Sequence, residues 1–207
     1  MIVAILNQKG GAGKTTISTN LARAIHKSGE KVLLVDSDPQ GSARDWHAAS
    51  DGSLITVIGI DRPTIDKDIK AINGYQWILI DGAPQLAEMA VSAIKCADLV
   101  LIPVQPSPYD IWASADLVDV IKTRQQVTDG KPKAAFLISR QITNTVLGNE
   151  VREALEGYGL PVFQSGTFQR VIYAKSAATG STVIDADPQG DAANEINKIF
   201  QELKEFL

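Results

Sequence analysis

The sequence predicts an α/β fold: a single domain over residues 1–207 with a mostly parallel, twisted sheet and helices on both faces. Three observations predict it. Short apolar runs alternate with segments of helical character along the whole chain. Most of the runs are apolar at every position rather than at every second one, as strands buried on both faces are. A glycine-rich stretch, Lys9 to Thr16, lies between the first run and the first helical segment, and two later runs close on an aspartate, Asp36 and Asp81. No repeat, low-complexity segment or linker divides the chain.

The elements follow in order. Met1 to Asn7 reads as a buried strand and Ile17 to Ser28 as a helix. Lys31 to Asp36 is a second strand, left through the turn Asp36-Ser37-Asp38-Pro39-Gln40-Gly41. A helix from about Ser42 to Ala49 and a short strand from Ser53 to Gly59 come next. Thr64 to Ile72 is a short helix with Thr64 as candidate N-cap. Trp77 to Asp81 is an apolar strand, and Gln85 to Cys96 is helical. Leu99 to Val104 is a further buried strand whose end Pro103 marks. Pro106 to Asp110 forms a rigid turn, and Asp110 is expected to cap one long helix reaching about Val127. Lys133 to Ser139 reads as a strand, Leu147 to Gly157 as a helix and Leu160 to Gln164 as a strand. The last helix is expected from about Gln189 to Leu207.

Composition sets bounds. Apolar residues make up 44% and charged residues 21% of the 207, an ordinary balance for a domain with a sizeable core. A net charge of −4 confines any nucleic-acid binding to a local patch. One cysteine, Cys96, excludes an internal disulfide framework and reads as a small core residue. The first residues lack the basic leader of a signal peptide, and no run approaches the ~18 apolar residues of a membrane span. A cytoplasmic protein is the expectation.

Strand, glycine-rich loop and helix together are the setting in which a loop cradles phosphate. Glycines let successive backbone N–H groups turn inward, and the helix N-terminus adds partial positive charge. The cradle would be Lys9, Gly10, Gly11, Ala12, Gly13, Lys14, Thr15 and Thr16. Lys14 would reach the β- and γ-phosphates and the Thr15 hydroxyl would ligate Mg²⁺. The usual pattern needs glycine at position 8, where Gln8 stands. Lys9 is the informative departure: it is too far around the loop to duplicate Lys14. Either it is a solvated lysine or it reaches across to a second subunit's nucleotide.

Carboxylates leave strand ends at the same edge of such a sheet, where ligands bind. Asp81 would hold Mg²⁺ opposite Thr15. Of Asp36 and Asp38, one would support the metal's water shell and the other orient or deprotonate the attacking water; Asp38 is assigned the second role and Asp36 the first. A turn or cap carboxylate is the alternative for each.

These residues resemble the ParA/MinD family of deviant Walker-A ATPases. Lys9 to Thr16 (KGGAGKTT), Val35 to Gln40 (VDSDPQ) and Ile78 to Pro84 (ILIDGAP) carry the match, and Pro103 to Asp110 looks like the segment after the next strand in small ParA partition ATPases. The resemblance implies slow ATP hydrolysis stimulated by a small centromere-binding or adaptor partner. It implies a homodimer that sandwiches two ATP molecules with Mg²⁺, Lys9 crossing to the partner's phosphates. It also implies non-specific, nucleoid-associated DNA binding by the ATP dimer, and segregation of a plasmid, a chromosome region or a large protein cargo. Because the phosphate loop starts at Lys9, the short ParA type without an N-terminal helix-turn-helix is expected.

Two stretches of the sequence are candidates for a DNA face independently of the resemblance. Gly157 to Ile184 and Gly130 to Asn149 contain no acid but include Arg170 and Lys175, and Lys131, Lys133 and Arg140. Such patches would contact phosphates without reading bases. Arg170 also matches an arginine in a ParA segment associated with DNA contact. Arg140, just past a strand end, is alternatively a neighbour of the adenine. A MinD-like membrane switch is the main rival; it needs a basic amphipathic last helix. Ile196, Ile199, Phe200, Leu203, Phe206 and Leu207 make a stripe there, but Glu195, Lys198, Glu202, Lys204 and Glu205 make the other face slightly acidic. Packing on the sheet is the expectation, with no stable membrane association.

Overall fold

The computed structural model describes residues 1–84, 88–142 and 147–207, with only the backbone of residues 147–149. Six strands form the sheet: β1 (Ile2–Ile5), β2 (Val32–Asp36), β3 (Thr56–Gly59), β4 (Trp77–Asp81), β5 (Leu99–Val104) and β6 (Lys133–Ile138). Their spatial order is β3-β2-β4-β1-β5-β6, and every neighbouring pair is parallel. All carboxyl ends therefore open on one edge. β1 lies between β4 and β5, where the order of connection reverses, so what leaves β1 enters the crevice such sheets use for ligands.

The strand alternation builds two cores. Val3, Ile5, Leu34, Leu79 and Leu101 face one side, with the helices α1 (Lys14–Lys27) and α10 (Asp191–Phe206) over them. Ala4, Leu33, Ile80, Val100 and Ile102 face the other, under α4 (Glu88–Cys96) and α6 (Ala115–Gln126). Every residue of β2, β4 and β5 is buried, which is why those runs are apolar throughout. The remaining helices are α2 (Ser42–Ala49), α3 (Ile65–Asp68, continued as a 3₁₀ turn to Ala71), α5 (Pro108–Trp112), α7 (Leu147–Glu156), α8 (Val171–Ala177) and α9 (Val183–Ala186). The first three residues of the expected Gln85 to Cys96 helix lie outside the described residues.

Three expectations are corrected. Leu160 to Gln164 is not a strand; only Val162 makes a bridge, to Phe136. Pro161 lacks an N–H for a ladder. Side chains take the places a neighbouring strand would fill: Arg152 donates to the carbonyls of Val162 and Phe163 at 3.0 and 2.9 Å, and Glu202 accepts from the amides of Gln164 and Ser165 at 2.6 and 2.7 Å. The long helix expected from Asp110 is two helices, α5 and α6. Asp110 caps nothing, since its side chain turns to Lys9. At the break the Ser114 hydroxyl bonds the Asp110 carbonyl at 3.0 Å, a local bond that bends helices. Thr64 stands at the N-cap of α3, but its hydroxyl donates to the Asp68 carboxylate at 2.6 Å and makes no capping bond. Helices α8 and α9 fold from a stretch to which the sequence pattern assigns no element. They are anchored by the Trp46 indole on the Ser181 carbonyl and by Arg23, bidentate on Asp185.

Candidate functional site

The glycine-rich stretch forms a tight loop from β1 into α1. Gly11 and Gly13 have φ of 78° and 94°, the left-handed region that glycine enters without strain, and Gly13 begins α1. Three strand ends stitch the loop down. Asn7 accepts from the Lys9 amide at 2.8 Å and donates to the Pro103 carbonyl, Gln105 donates to the Gly11 carbonyl at 2.8 Å, and the Ser139 hydroxyl donates to the Ala12 carbonyl at 2.8 Å. With these carbonyls tied back, the loop keeps its cavity. That cleft, about 190 Å³, is lined by Gly10, Gly11, Gly13, Lys14, Thr15, Thr16, Asp38, Ser42, Pro84 and Arg140. A more enclosed cavity of about 150 Å³ adjoins it, sharing Gly13, Thr16 and Arg140 and adding Ile17, Phe168 and Tyr173.

Lys14 is buried, and its ammonium donates to the Lys9 carbonyl at 3.1 Å. Burial lowers its pKa, opposed by the charges of Asp81 and Asp38. A buried cation whose ammonium has one hydrogen-bond partner among the described residues is suited to an arriving anion. Across from it Asp81 is fully buried at the end of β4. Its two oxygens accept from Thr15 Oγ1 at 2.7 Å and Ser18 Oγ at 3.0 Å. Burial pushes this carboxyl up to about 7, with the nearby Asp36 charge adding to the effect and the two hydroxyls opposing it. The approach depends on Gly82: a Cβ there would stand 2.8 Å from the Ile5 carbonyl oxygen and collide with Leu6.

The hydroxyl–carboxylate pair of Thr15 and Asp81 is a hard-oxygen donor set that fits Mg²⁺. Among the described residues no group of three His, Cys, Asp or Glu side chains converges to hold a metal by itself. The pair therefore suits an ion that keeps waters and takes its other ligands from a nucleotide.

The remaining sequence candidates separate. Asp38 lines the cleft, with one carboxylate oxygen fixed by the Gln40 amide at 2.9 Å. Asp36, fully buried, accepts from the Asp38 amide on Oδ1 at 3.0 Å and from the Arg44 amide on Oδ2 at 2.9 Å. Its carboxylate holds the turn that carries Asp38. Arg140, with φ of 52°, lines both cavities. Lys9 lies outside the residues lining the cleft, and its ammonium sits on Asp110 Oδ2 at 2.5 Å.

The first acid-free stretch is not acid-free in space. Arg170 bonds Glu195 Oε1 at 2.6 Å and Asp191 Oδ2 at 3.0 Å, both from α10. Glu195, expected on the solvent face of the last helix, is buried and also accepts from the Phe168 amide and the Tyr173 hydroxyl. Lys133 donates to the carbonyl of Phe206 at the end of α10. Lys175 is exposed. The apolar stripe of α10 is consumed in the core: Ile196, Ile199, Phe200 and Leu203 are at most 3% exposed. No helix among the described residues is long and apolar enough to cross a membrane. The residues that sequence reasoning missed are Asn7, Ser18, Gln105, Ser139 and Asp110. The first, third and fourth stand at or just beyond strand carboxyl ends, and Ser18 lies one turn after Thr15. That placement was the available signal.

Three comparisons bear on this site. A family model described as the CobQ/CobB/MinD/ParA nucleotide binding domain matches residues 3–183. The chain is 33% identical over 209 residues to the maintenance of carboxysome distribution protein A of Halothiobacillus neapolitanus, covering 97% of this chain and 95% of the relative. It is 27% identical over 237 residues to the chromosome-partitioning ATPase Soj of Thermus thermophilus, covering 97% and 94%. Among solved structures, the septum site-determining protein MinD complexed with Mg-ADP from Pyrococcus horikoshii superposes with a TM-score of 0.79 at 18% identity, over 99% of this chain and 96% of that one. At that identity the likeness is one of fold.

Proposed function

Since the chain belongs to the CobQ/CobB/MinD/ParA nucleotide-binding family and is a ParA/MinD-type ATPase, we propose that it is a positioning switch. Two copies close on two ATP molecules, bind DNA without reading sequence, and come apart after hydrolysis. The observation that carries the reading is the division of labour between two lysines. Lys14 lies inside its own cradle, whereas Lys9 is held at the rim, its side chain 40% exposed. A cation placed there serves a nucleotide approached from outside. ATP then favours the dimer because each triphosphate is contacted from both sides, and a ligand shifts an equilibrium only by such differential contact.

In this mechanism Lys14 and the loop amides hold the β- and γ-phosphates. Asp38 orients or deprotonates the water, using the carboxylate oxygen that Gln40 leaves free. Asp36 supports that role through the turn. Thr15 and Asp81 would hold Mg²⁺, which, when bound, neutralises charge on the phosphate oxygens. Base and ribose take the more apolar cavity beside Arg140, Phe168 and Tyr173. Basal hydrolysis is slow, and an adaptor protein completes the site. The higher identity to the carboxysome distribution protein than to Soj, 33% against 27%, favours a large protein assembly as cargo over a replicon. For DNA, Lys175 is the better candidate of the two expected contacts, because Arg170 already has two acidic partners. Localisation on the nucleoid in the cytoplasm follows from such binding.

A DNA gel shift with ATP, ADP and no nucleotide, at two salt concentrations, tests the reading. Retention with ATP alone that falls steeply with salt is expected. Retention independent of nucleotide, or binding to anionic lipid vesicles without binding to DNA, would contradict it.

A further inference from the structure

Asp110 is an oddity outside the phosphate cradle. Its side chain is 4% exposed, in the middle of α5, the short helix after β5. Oδ2 takes the Lys9 ammonium at 2.5 Å, and among the described residues Oδ1 is buried with no hydrogen-bond partner. A carboxylate so placed is stabilised almost entirely by one cation, and removing that cation would leave an uncompensated buried charge. The pair is therefore costly to break. The rest of Lys9 is fixed as well: Asn7 holds its amide at 2.8 Å and Lys14 its carbonyl at 3.1 Å. An ammonium has three donors, and one carboxylate oxygen uses one of them. The others remain for an anion that comes from the exposed side. On either side of Asp110, Tyr109 and Trp112 stand 72% and 64% exposed, with rings edge to face 5.5 Å apart. Aromatic residues of this kind are enriched where protein surfaces meet.

We propose that Asp110 is a positioning residue, which holds the Lys9 ammonium at the rim so that it meets the triphosphate of a second copy already oriented. This rests on the dimerisation proposed above. A long flexible lysine loses rotamer freedom when it is pinned at an interface. Pinning it in the free subunit removes that cost from association. The ion pair then persists in the dimer, with Lys9 bridging Asp110 and the partner's nucleotide. A latch would behave in the opposite way, since opening it would be a condition of dimerising.

The test is a double-mutant cycle on the full chain, with dimer affinity measured by sedimentation velocity in Mg²⁺ and a non-hydrolysable ATP analogue. The chains are wild type, Asp110→Asn, Lys9→Ala and the double variant. Analogue binding by dilute monomer and melting temperature are read alongside. Asp110→Asn is expected to weaken the dimer by roughly 10-fold or more while leaving analogue binding by the monomer unchanged. In the Lys9→Ala background the same change should have no further effect, because its target is gone. Asp110→Glu, which keeps the charge, should restore most of the affinity, and it carries the test if Asp110→Asn melts too low to measure. A dimer as tight as wild type or tighter in Asp110→Asn would overturn the inference, and so would losses that multiply in the double variant. A wild-type chain that stays monomeric overturns the dimer reading as well; a wild-type dimer indifferent to Asp110 overturns this inference alone.

Discussion

The phosphate cradle and the basic stretches around Arg170 were both visible as patterns, yet they fare differently in three dimensions. In the cradle the participants are close in sequence or stand at strand ends, which a parallel sheet is bound to bring together. Lys14, Thr15, Asp38 and Asp81 accordingly gather on one edge. The basic stretches were defined by what their own sequence lacks. Nothing local limits which acids approach from elsewhere, and α10 delivers Glu195 and Asp191 onto Arg170. A pattern of residues present survives folding when topology fixes their neighbours. A pattern of residues absent does not, because charge acts through space.

The sharpest way to break that contrast is Asp38→Ala. If the cradle is as assembled here, phosphate release under single-turnover conditions should fall by about 10²–10⁴-fold, the usual worth of a positioned base, with ATP binding retained. Unchanged turnover would move water positioning elsewhere. Next comes Lys14→Ala, expected to weaken triphosphate binding by roughly 100-fold, on the order of 3 kcal/mol, as read by titration calorimetry. A loss of only a few-fold would mean that the loop amides alone hold the phosphates.

A smaller effect concerns pH. The folded-state pKa of Asp81 is raised to about 7 by burial, above the ordinary 3.8. Folding therefore binds its proton more tightly, and the stabilisation is full below about 4 and lost as pH rises through about 7. In the nucleotide-free chain without Mg²⁺, Asp81→Asn should remove this loss. The variant should gain stability relative to wild type on going from pH 5 to pH 8, by about 2–3 kcal/mol. Parallel melting curves for the two chains across that range would contradict the burial argument.

The smallest effect tests the other region. Lys175→Ala should weaken DNA retention a few-fold and reduce its salt slope by about 1. Arg170→Ala should instead act chiefly on melting temperature, since it leaves Glu195 buried with one cation fewer. If Arg170→Ala lowers DNA affinity without touching stability, the neutralisation seen here does not govern that surface.

The sheet was legible because burial on both faces writes itself into uninterrupted apolar runs such as Leu99 to Val104. The phosphate loop was legible because strand, glycines and helix are contiguous. The Leu160 to Gln164 segment shows the limit. It has a strand's apolar character, but Arg152 and Glu202 bond its backbone groups, from 10 and 38 residues away along the chain. Asp110 shows the same limit within the site. As a helix cap it was a local reading; as the partner of Lys9, 101 residues away, it belongs to the tertiary fold.

The central claim is that triphosphate, and not diphosphate, joins two copies. Light scattering coupled to size exclusion measures this directly, on the wild-type chain with Mg²⁺ and either a non-hydrolysable ATP analogue or ADP. Twice the 22.2 kDa monomer mass is expected with the analogue and the monomer mass with ADP. The same mass in both conditions, whether single or double, would contradict it.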